Sequence, residues 1–139
     1  MSLQLGLVRV FKDHGVNMLA GDDSGSAAAW CLPGFGLHRE FDLLAEAGLQ
    51  SLEVLQTATL NAAHFLGRES SMGSVEVGKE ANLVLLDADP TQSVQNLHRV
   101  VGVVCNGKYL SSDDLEDLKK EVTGRVANAP GPNPGATTR

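Results

Sequence analysis

The stretch Leu19-Ala20-Gly21-Asp22-Asp23-Ser24-Gly25 decides the fold, together with the apolar run in front of it. Val16 to Ala20 is short and almost wholly apolar, which is typical of a strand buried on both faces in a parallel sheet. The run delivers two carboxylates to its C-terminal end, directly before a glycine-containing loop. Ligands and catalytic groups gather at that edge in parallel α/β proteins. The pattern therefore predicts an α/β protein with a candidate site at Asp22 and Asp23, although turn formation would also explain both residues.

Helical periodicity precedes and follows this stretch. Leu3 to His14 carries apolar residues at helical spacing, and Gly15 is placed to end that helix. A second helix is predicted from Leu37 to Ala47, with Gly48 after it. A third is predicted to run to Leu66 with Ser51 as its N-cap. Four residues are expected to share the apolar face of this third helix: Leu52, Leu55, Ala62 and Leu66.

The periodicity changes to that of short strands from Met72 onward. Gly73 to Gly78 is predicted to be a strand bounded by glycines, and Leu83 to Leu86 a buried strand. Asn106-Gly107 separates two further apolar segments and is a strong signal for a two-residue hairpin turn.

The change at Met72 suggests a division of the chain into three parts. Residues 1–71 form a helix-rich part, residues 72–127 hold the short strands and a last helix that opens at Ser112, and residues 128–139 form a tail rich in Pro, Gly and Thr. Such a tail is expected to be disordered.

Composition argues against several classes of partner. The net charge of the 139 residues is -6, and no Lys or Arg cluster is available to neutralise a phosphate backbone, so we expect no nucleic-acid partner. The apolar runs are far shorter than the ~20 residues that cross a bilayer, so we expect no membrane span. Cys31 and Cys105 are too few for a disulfide framework. Buried free thiols in a reducing compartment explain them, which predicts a cytoplasmic location.

Several motifs, taken together and in order, resemble the C-terminal part of the amidohydrolase superfamily. They are Gly15-Val16, the Ala20-to-Gly25 loop, Leu37-His38-Arg39-Glu40, Ala58-Thr59-Leu60-Asn61-Ala62-Ala63, Gly73-Ser74-Val75-Glu76-Val77-Gly78-Lys79, Leu83 to Pro90, and Asn106-Gly107-Lys108. The most similar branch is that of the imidazolonepropionase-like and prolidase-like members. These enzymes cleave amide bonds of cyclic or peptide-like substrates. The resemblance covers residues 3 to about 110.

The resemblance implies a fold class: α/β, comprising a C-terminal fragment of a (β/α) barrel and part of a small β-sandwich. Val16 to Ala20 would be the last barrel strand, and the next two helices would close the barrel. Asp23 would match the aspartate that contacts the metal and exchanges protons in this family, and is therefore the candidate catalytic and metal-binding residue. The implied cofactor of the complete enzyme is a divalent metal, with zinc expected. His38 is a candidate for substrate contact, although a surface role at a helix start also explains it.

The chain departs from the family pattern at two positions. Asp22 stands where the family usually has Thr; it would either raise the pKa of one carboxyl of the pair or face solvent. Asn82 stands where the family usually has Asp, at a position that we interpret as structural.

The metal ligands are a separate matter. The four histidines are at least 24 residues apart, so there is no His-x-His pair. A catalytic zinc needs about three protein ligands, and Asp23 alone cannot supply them. We therefore expect that the chain is not catalytic by itself. Two alternatives stay open: a non-catalytic module that self-associates as a homo-oligomer, and one half of a split hydrolase completed by an N-terminal partner chain and acting on a small amide substrate.

Overall fold

A computed structural model describes residues 3–24 and 34–127 of the chain. The predicted disorder of residues 128–139, and Gly25 and Cys31 of the loop, lie outside the described residues. Within the described ranges the fold is mixed α/β. The elements are α1 (Leu3–Asp13), α2 (Phe35–Glu46), α3 (Ser51–Thr57), α4 (Leu60–Phe65), β1 (Leu83–Leu86), a 3₁₀ helix (Val94–His98), β2 (Val100–Cys105), β3 (Lys108–Ser111) and α5 (Ser112–Ala127).

The first two predicted helices are confirmed by α1 and α2, and the expected glycine follows two residues after each helix. Gly15 has a φ of 67°, and Val16 N–H donates to Phe11 O at 3.0 Å, which is the longer hydrogen bond of a Schellman cap. Gly48 has a φ of 104° and follows α2 in the same way. A residue with a side chain would be strained at either position.

The predicted third helix is two helices, α3 and α4, with a break at Ala58 and Thr59. The hydroxyls of Thr57 and Thr59 donate to backbone carbonyls three and four residues earlier, at 2.6 and 2.8 Å. Thr59 has φ −125° and ψ −89°, which is outside the helical region. The expected N-cap at Ser51 is wrong by one residue, because Gln50 is the N-cap and its N–H donates to Glu53 Oε2 at 2.7 Å.

The break also changes which side chains of this segment are buried. The structure buries Val54, Thr57 and Ala63. Leu52 and Leu66, which were expected on the buried face, are instead exposed. A continuous helix would have kept one stripe of side chains inward, whereas the kink at Thr59 turns α4 relative to α3.

The sheet has three antiparallel strands in the order β1-β2-β3. Both β1 and the hairpin are as predicted: Asn106 and Gly107 have φ values of 50° and 77°, the pattern of a type I′ turn. Asn82 Oδ1 accepts the N–H of Asn106 at 3.2 Å, which supports the structural interpretation of Asn82. Cys105 is exposed, contrary to expectation, because it ends β2 beside this turn.

Two predicted strands are not strands in the structure. Residues 16–20 run without regular structure, and so do residues 73–78, where Val75 and Val77 are exposed. A strand is defined by hydrogen bonds to a neighbour. Within the described ranges, neither segment belongs to the sheet that β1, β2 and β3 form. The apolar pattern therefore identified segments suited to pairing, but not their partners.

One core joins the helices to the strand-containing part. Phe41, Leu44, Leu49, Val54 and Leu97 form the buried cluster, with Leu86 of β1 packed against it. The 3₁₀ helix that carries Leu97 lies on α2 and α3. The predicted division at residues 71 and 72 stays a prediction. In the described part of the chain, no helix has the length and apolarity that a bilayer crossing requires.

Candidate functional site

Asp23 lies at the end of a segment that two hydrogen bonds tie to the α3–α4 region. Ala20 N–H donates to Thr57 O at 3.3 Å, and Asn61 Nδ2 donates to Met18 O at 3.0 Å. Asp23 itself is exposed and has a φ of 50°. Asp and Asn tolerate this left-handed conformation better than most residues. The carboxylate is thus presented to solvent from a tethered backbone.

Asp22 faces a different environment from its neighbour. Its Oδ1 accepts the N–H of Ser24 at 3.1 Å, and its side chain lies against Gly36 in the first turn of α2. The pKa of Asp22 is lowered, first by the hydrogen bonds from the backbone and side chain of Ser24, and in smaller part by the backbone of Leu37. The expectation of a raised pKa therefore does not hold for Asp22, because backbone donors stabilise its charged form.

The negative charge of Asp22 also affects Glu40. Its pKa is raised, first by burial and then by the negative charge of Asp22. The side chain borders a cleft of about 230 Å³ between α1 and α2, lined also by Gln4, Leu5, Val8, Leu43 and Leu44. In the sequence, Glu40 stands out only as part of the motif Leu37-His38-Arg39-Glu40. A larger depression of about 500 Å³, lined by residues of β1 and the turn after it, includes none of the predicted site residues.

His38 lies in a cluster of polar side chains between α2 and the 3₁₀ helix. Its ring is 5.0 Å from that of His98 and packs edge-on against Phe41 at 6.1 Å. His98 Nε2 is 3.0 Å from Asp42 Oδ1, which also accepts from Gln95 Nε2 at 2.9 Å. Burial lowers the pKa of His38, and His98 lowers it further, while Asp42 opposes this.

Part of this cluster can be recognised in the sequence. His38 and Asp42 are four residues apart, which places them on one face of a helix. The partner His98 comes from a distant segment, and nothing in the local pattern indicated it.

The described residues do not by themselves provide a metal centre. Among residues 3–24 and 34–127, no three His, Cys, Asp or Glu side chains converge so that they could hold an ion. A catalytic zinc site needs about three such ligands. Within these ranges Asp23 has no two companion ligands, and its role at a metal stays a prediction.

Comparison with known proteins gives this geometry a context. A model of the amidohydrolase family matches residues 6–110. The imidazolonepropionase of Shouchella clausii (strain KSM-K16) is 48% identical over 61 residues, which cover 42% of this chain and 14% of that protein. The 5'-deoxyadenosine deaminase of Methanobrevibacter smithii is 33% identical over 104 residues, covering 61% of this chain and 24% of that protein.

A solved structure is similar over most of the chain. It is a Xaa-Pro dipeptidase with bound methionine in the active site, 27% identical, with a TM-score of 0.66. The alignment covers 78% of this chain and 25% of that one. The chain therefore spans a quarter or less of the length of each of these three proteins.

Proposed function

Because the chain belongs to the amidohydrolase family, in the branch of the imidazolonepropionases and prolidases, we propose that it is the C-terminal segment of a metal-dependent hydrolase of amide-type C–N bonds. The observation that carries the proposal is the position of Asp23, inside the matched region and exposed at the end of a tethered segment. The substrate class is a cyclic amide or a peptide-like amide. The names of an imidazolonepropionase and of a Xaa-Pro dipeptidase among the similar proteins support this choice.

The role proposed for Asp23 is proton transfer. A carboxylate beside the scissile bond can accept a proton from the attacking water and give one to the departing nitrogen, so that the amide is replaced by a carboxylate and an amine. The exposure of Asp23 leaves its side chain free to reach a substrate. Asp22 is unsuited to this role, because its side chain is held by Ser24 and the first turn of α2.

The cofactor belongs to the complete site. Members of the family generally use divalent metal ions, and zinc is the ion that we propose here. The 139 residues contain no His-x-His pair, and the described ones bring no three candidate ligands together. We therefore propose that the remaining ligands come from polypeptide outside this chain and that the chain alone does not turn over substrate. His38 is retained as a candidate for substrate contact. It lies near the start of α2, two residues after Gly36, which the side chain of Asp22 contacts.

Exposed apolar side chains favour a partner that covers them. Large apolar residues are exposed on several helices and in the segment before β1: Leu3, Leu7, Phe35, Phe65, Leu66, Val75, Val77 and Val122. A partner that removed them from water would gain about 25 cal/mol per Å² of apolar surface buried. The partner proposed is the rest of a hydrolase, within one polypeptide or as a second chain. Self-association as a non-catalytic homo-oligomer is the second candidate, favoured by the same exposed residues.

A chimeric enzyme tests the proposed function. In the imidazolonepropionase of Shouchella clausii, the segment that matches the same stretch of the family model would be replaced by residues 6–110 of this chain, which include both Asp23 and Asn61. Turnover by this chimera, reduced on the order of 100-fold or more by Asp23→Asn, is the expected result. Asp22→Asn is the matched control and should have a much smaller effect. Equal effects of the two substitutions would contradict the assignment of Asp23.

Two measurements on the 139-residue chain separate the partner candidates. Plasma mass spectrometry of the purified chain should find no stoichiometric zinc if the other ligands lie elsewhere. Light scattering during size-exclusion chromatography reports the mass. A monomer without zinc would favour a missing partner, and a homo-oligomer without zinc would favour the non-catalytic module. A homo-oligomer that holds stoichiometric zinc, lost in Asp23→Ala, would contradict both, because self-association would then have rebuilt the site.

A further inference from the structure

The segment that leads to Asp23 is held by two hydrogen bonds and by the packing of Met18 and Ala20 against the core cluster. Residues 16–20 lie outside the sheet, so the hydrogen bonds of a strand do not hold them. An unpaired segment would normally be free to move, because ordering each residue costs about 1–2 kcal/mol of conformational entropy. The position of Asp23 therefore depends on the contacts that this segment makes with the helices.

Asn61 makes one of these contacts across 43 residues of sequence. Its Nδ2 donates to Met18 O at 3.0 Å, in a half-buried environment. Asn61 is the second residue of α4, and the hydrogen bond of its side chain is made outside the helix, to the segment before Asp23. The amide is therefore directed at a backbone carbonyl that has no partner in a sheet.

The second contact comes from the break between α3 and α4. Thr57 O, at the end of α3, accepts Ala20 N–H at 3.3 Å. Thr57 is almost completely buried, and its hydroxyl is bonded to Val54 O at 2.6 Å, so its carbonyl is held in place. Because the chain leaves helical geometry at Thr59, the carbonyl of Thr57 and the side chain of Asn61 both face the segment.

We propose that Asn61 is a positioning residue for Asp23, acting through the backbone of Met18. The inference rests on the proposed function in so far as Asp23 is the group that needs to be positioned. Asn61 touches neither substrate nor reacting atoms on this view. Its Nδ2 donates to Met18 O, and this bond takes the place of one that a neighbouring strand would supply.

The substitution that tests this hydrogen bond most directly is Asn61→Asp. It keeps the size of the side chain but removes the two N–H donors and places a carboxylate against Met18 O. An acidic residue in the first turn of a helix is favourable, so α4 itself should not be weakened. The matched control is Asn96→Asp, because Asn96 Nδ2 also donates to a backbone carbonyl, that of Asp89, at 2.7 Å.

Hydrogen exchange of the 139-residue chain, followed by mass spectrometry, gives the readout. In Asn61→Asp the peptides covering residues 17–23 should exchange roughly 3–10-fold faster, the change that loss of one net hydrogen bond produces. Asn96→Asp should leave these peptides at the wild-type rate. Asn61→Gln keeps the donor and should restore part of the protection. Unchanged exchange in Asn61→Asp, or an increase spread evenly over the chain, would overturn the proposal.

The chimeric enzyme separates this proposal from the one on function. With both correct, Asn61→Asp lowers kcat with little effect on KM, and Asn61→Gln recovers part of the loss. If Asp23→Asn leaves turnover unchanged while Asn61→Asp loosens residues 17–23, the catalytic assignment of Asp23 fails and the anchoring by Asn61 stands. If Asp23→Asn abolishes turnover while Asn61→Asp alters neither exchange nor kcat, the assignment of Asp23 stands and the positioning role is wrong.

Discussion

The imidazole rings of His38 and His98 face each other at 5.0 Å, tilted by 33°, where α2 meets the 3₁₀ helix. Asp42 Oδ1 lies 3.0 Å from Nε2 of His98, whereas Nδ1 of His38 is buried and has no hydrogen-bond partner within the described part of the chain. A proton on His38 would place a positive charge in a partly buried site beside His98, and both burial and His98 lower the pKa of His38. The contact between the two elements thus favours a neutral His38.

This arrangement predicts a pH dependence of stability. The pKa of His38 is lowered in the folded chain, first by burial and then by His98. The unfolded chain therefore binds the proton more readily. The stabilisation is fully present above the unfolded pKa of about 6.5 and is lost as pH falls below it. Urea unfolding between about pH 7 and pH 5 should show a decreasing free energy of unfolding.

A His38→Gln variant checks the source of that slope. It should remove part of the pH dependence, because glutamine does not titrate in this range. His64→Gln is the control, since His64 is exposed beside Glu69 and is not in the cluster. A slope that is the same in His38→Gln as in the wild type would refute the assignment.

A pair of glycine substitutions tests the contact of Asp22 with α2. Alanine at Gly36 would bring its Cβ to 2.7 Å from Asp22 Cβ, so the Asp22 side chain must move. Gly6 lies in α1 with no atom within 4 Å of such a Cβ. Gly6→Ala should stabilise the chain by up to about 1 kcal/mol through helix propensity, and Gly36→Ala should gain less or lose stability. NMR of both variants should show chemical-shift changes at Asp22 in Gly36→Ala and none there in Gly6→Ala; unchanged Asp22 signals in Gly36→Ala would contradict the contact.

A second pair tests the packing under α4. Gly73 and Gly78 both have a φ of 94°, so alanine is strained equally at each. At Gly73 the new Cβ would also lie 2.5 Å from the Cβ of the buried Ala63, whereas at Gly78 it meets nothing within 4 Å. Gly73→Ala should cost about 1–3 kcal/mol more than Gly78→Ala, the usual penalty of overpacking. Thermal or urea unfolding of both variants measures the difference, and equal losses would show that the space at Gly73 is not tight.

Asn82 offers a test at the hairpin. Its Oδ1 accepts the N–H of Asn106 at 3.2 Å, so Asn82→Ala should lower the free energy of unfolding by about 0.5–1.5 kcal/mol. Asn82→Asp keeps an acceptor oxygen and should be close to the wild type. Hydrogen exchange at the turn checks the location of the effect. Equal behaviour of the two variants would indicate that the contact contributes nothing.

Sequence patterns identified the elements whose signals are local. Gly15 and Gly48 mark helix ends because left-handed backbone favours glycine, and Asn106-Gly107 marks its turn for the same reason. The break at Thr59 was missed, because the apolar spacing continues across it while two hydroxyls compete for helix carbonyls. The predicted strands at residues 16–20 and 73–78 failed because pairing depends on a neighbour, which local pattern does not specify.

In the candidate site, too, local signals could be recognised in the sequence and long-range ones could not. Asp23 was identified from its place after an apolar run and from the family resemblance, and its catalytic and metal-binding roles remain predictions. Glu40, His98 and Asn61 became candidates only through interactions across 18 to 60 residues of chain, namely Glu40 with Asp22, His98 with His38 and Asn61 with Met18. Such interactions are set by how the helices pack, and a single sequence without the fold does not reveal them.

The left-handed backbone at Asp23 limits what mutagenesis of that position can report. Valine or isoleucine there would have to force the loop into another conformation, and a loss of activity would mix altered chemistry with altered shape. Asparagine keeps both the side-chain volume and the tolerance for positive φ, and glycine keeps the tolerance alone. Saturation libraries at this codon should therefore be interpreted through these two substitutions, with the bulkier ones regarded as probes of the backbone.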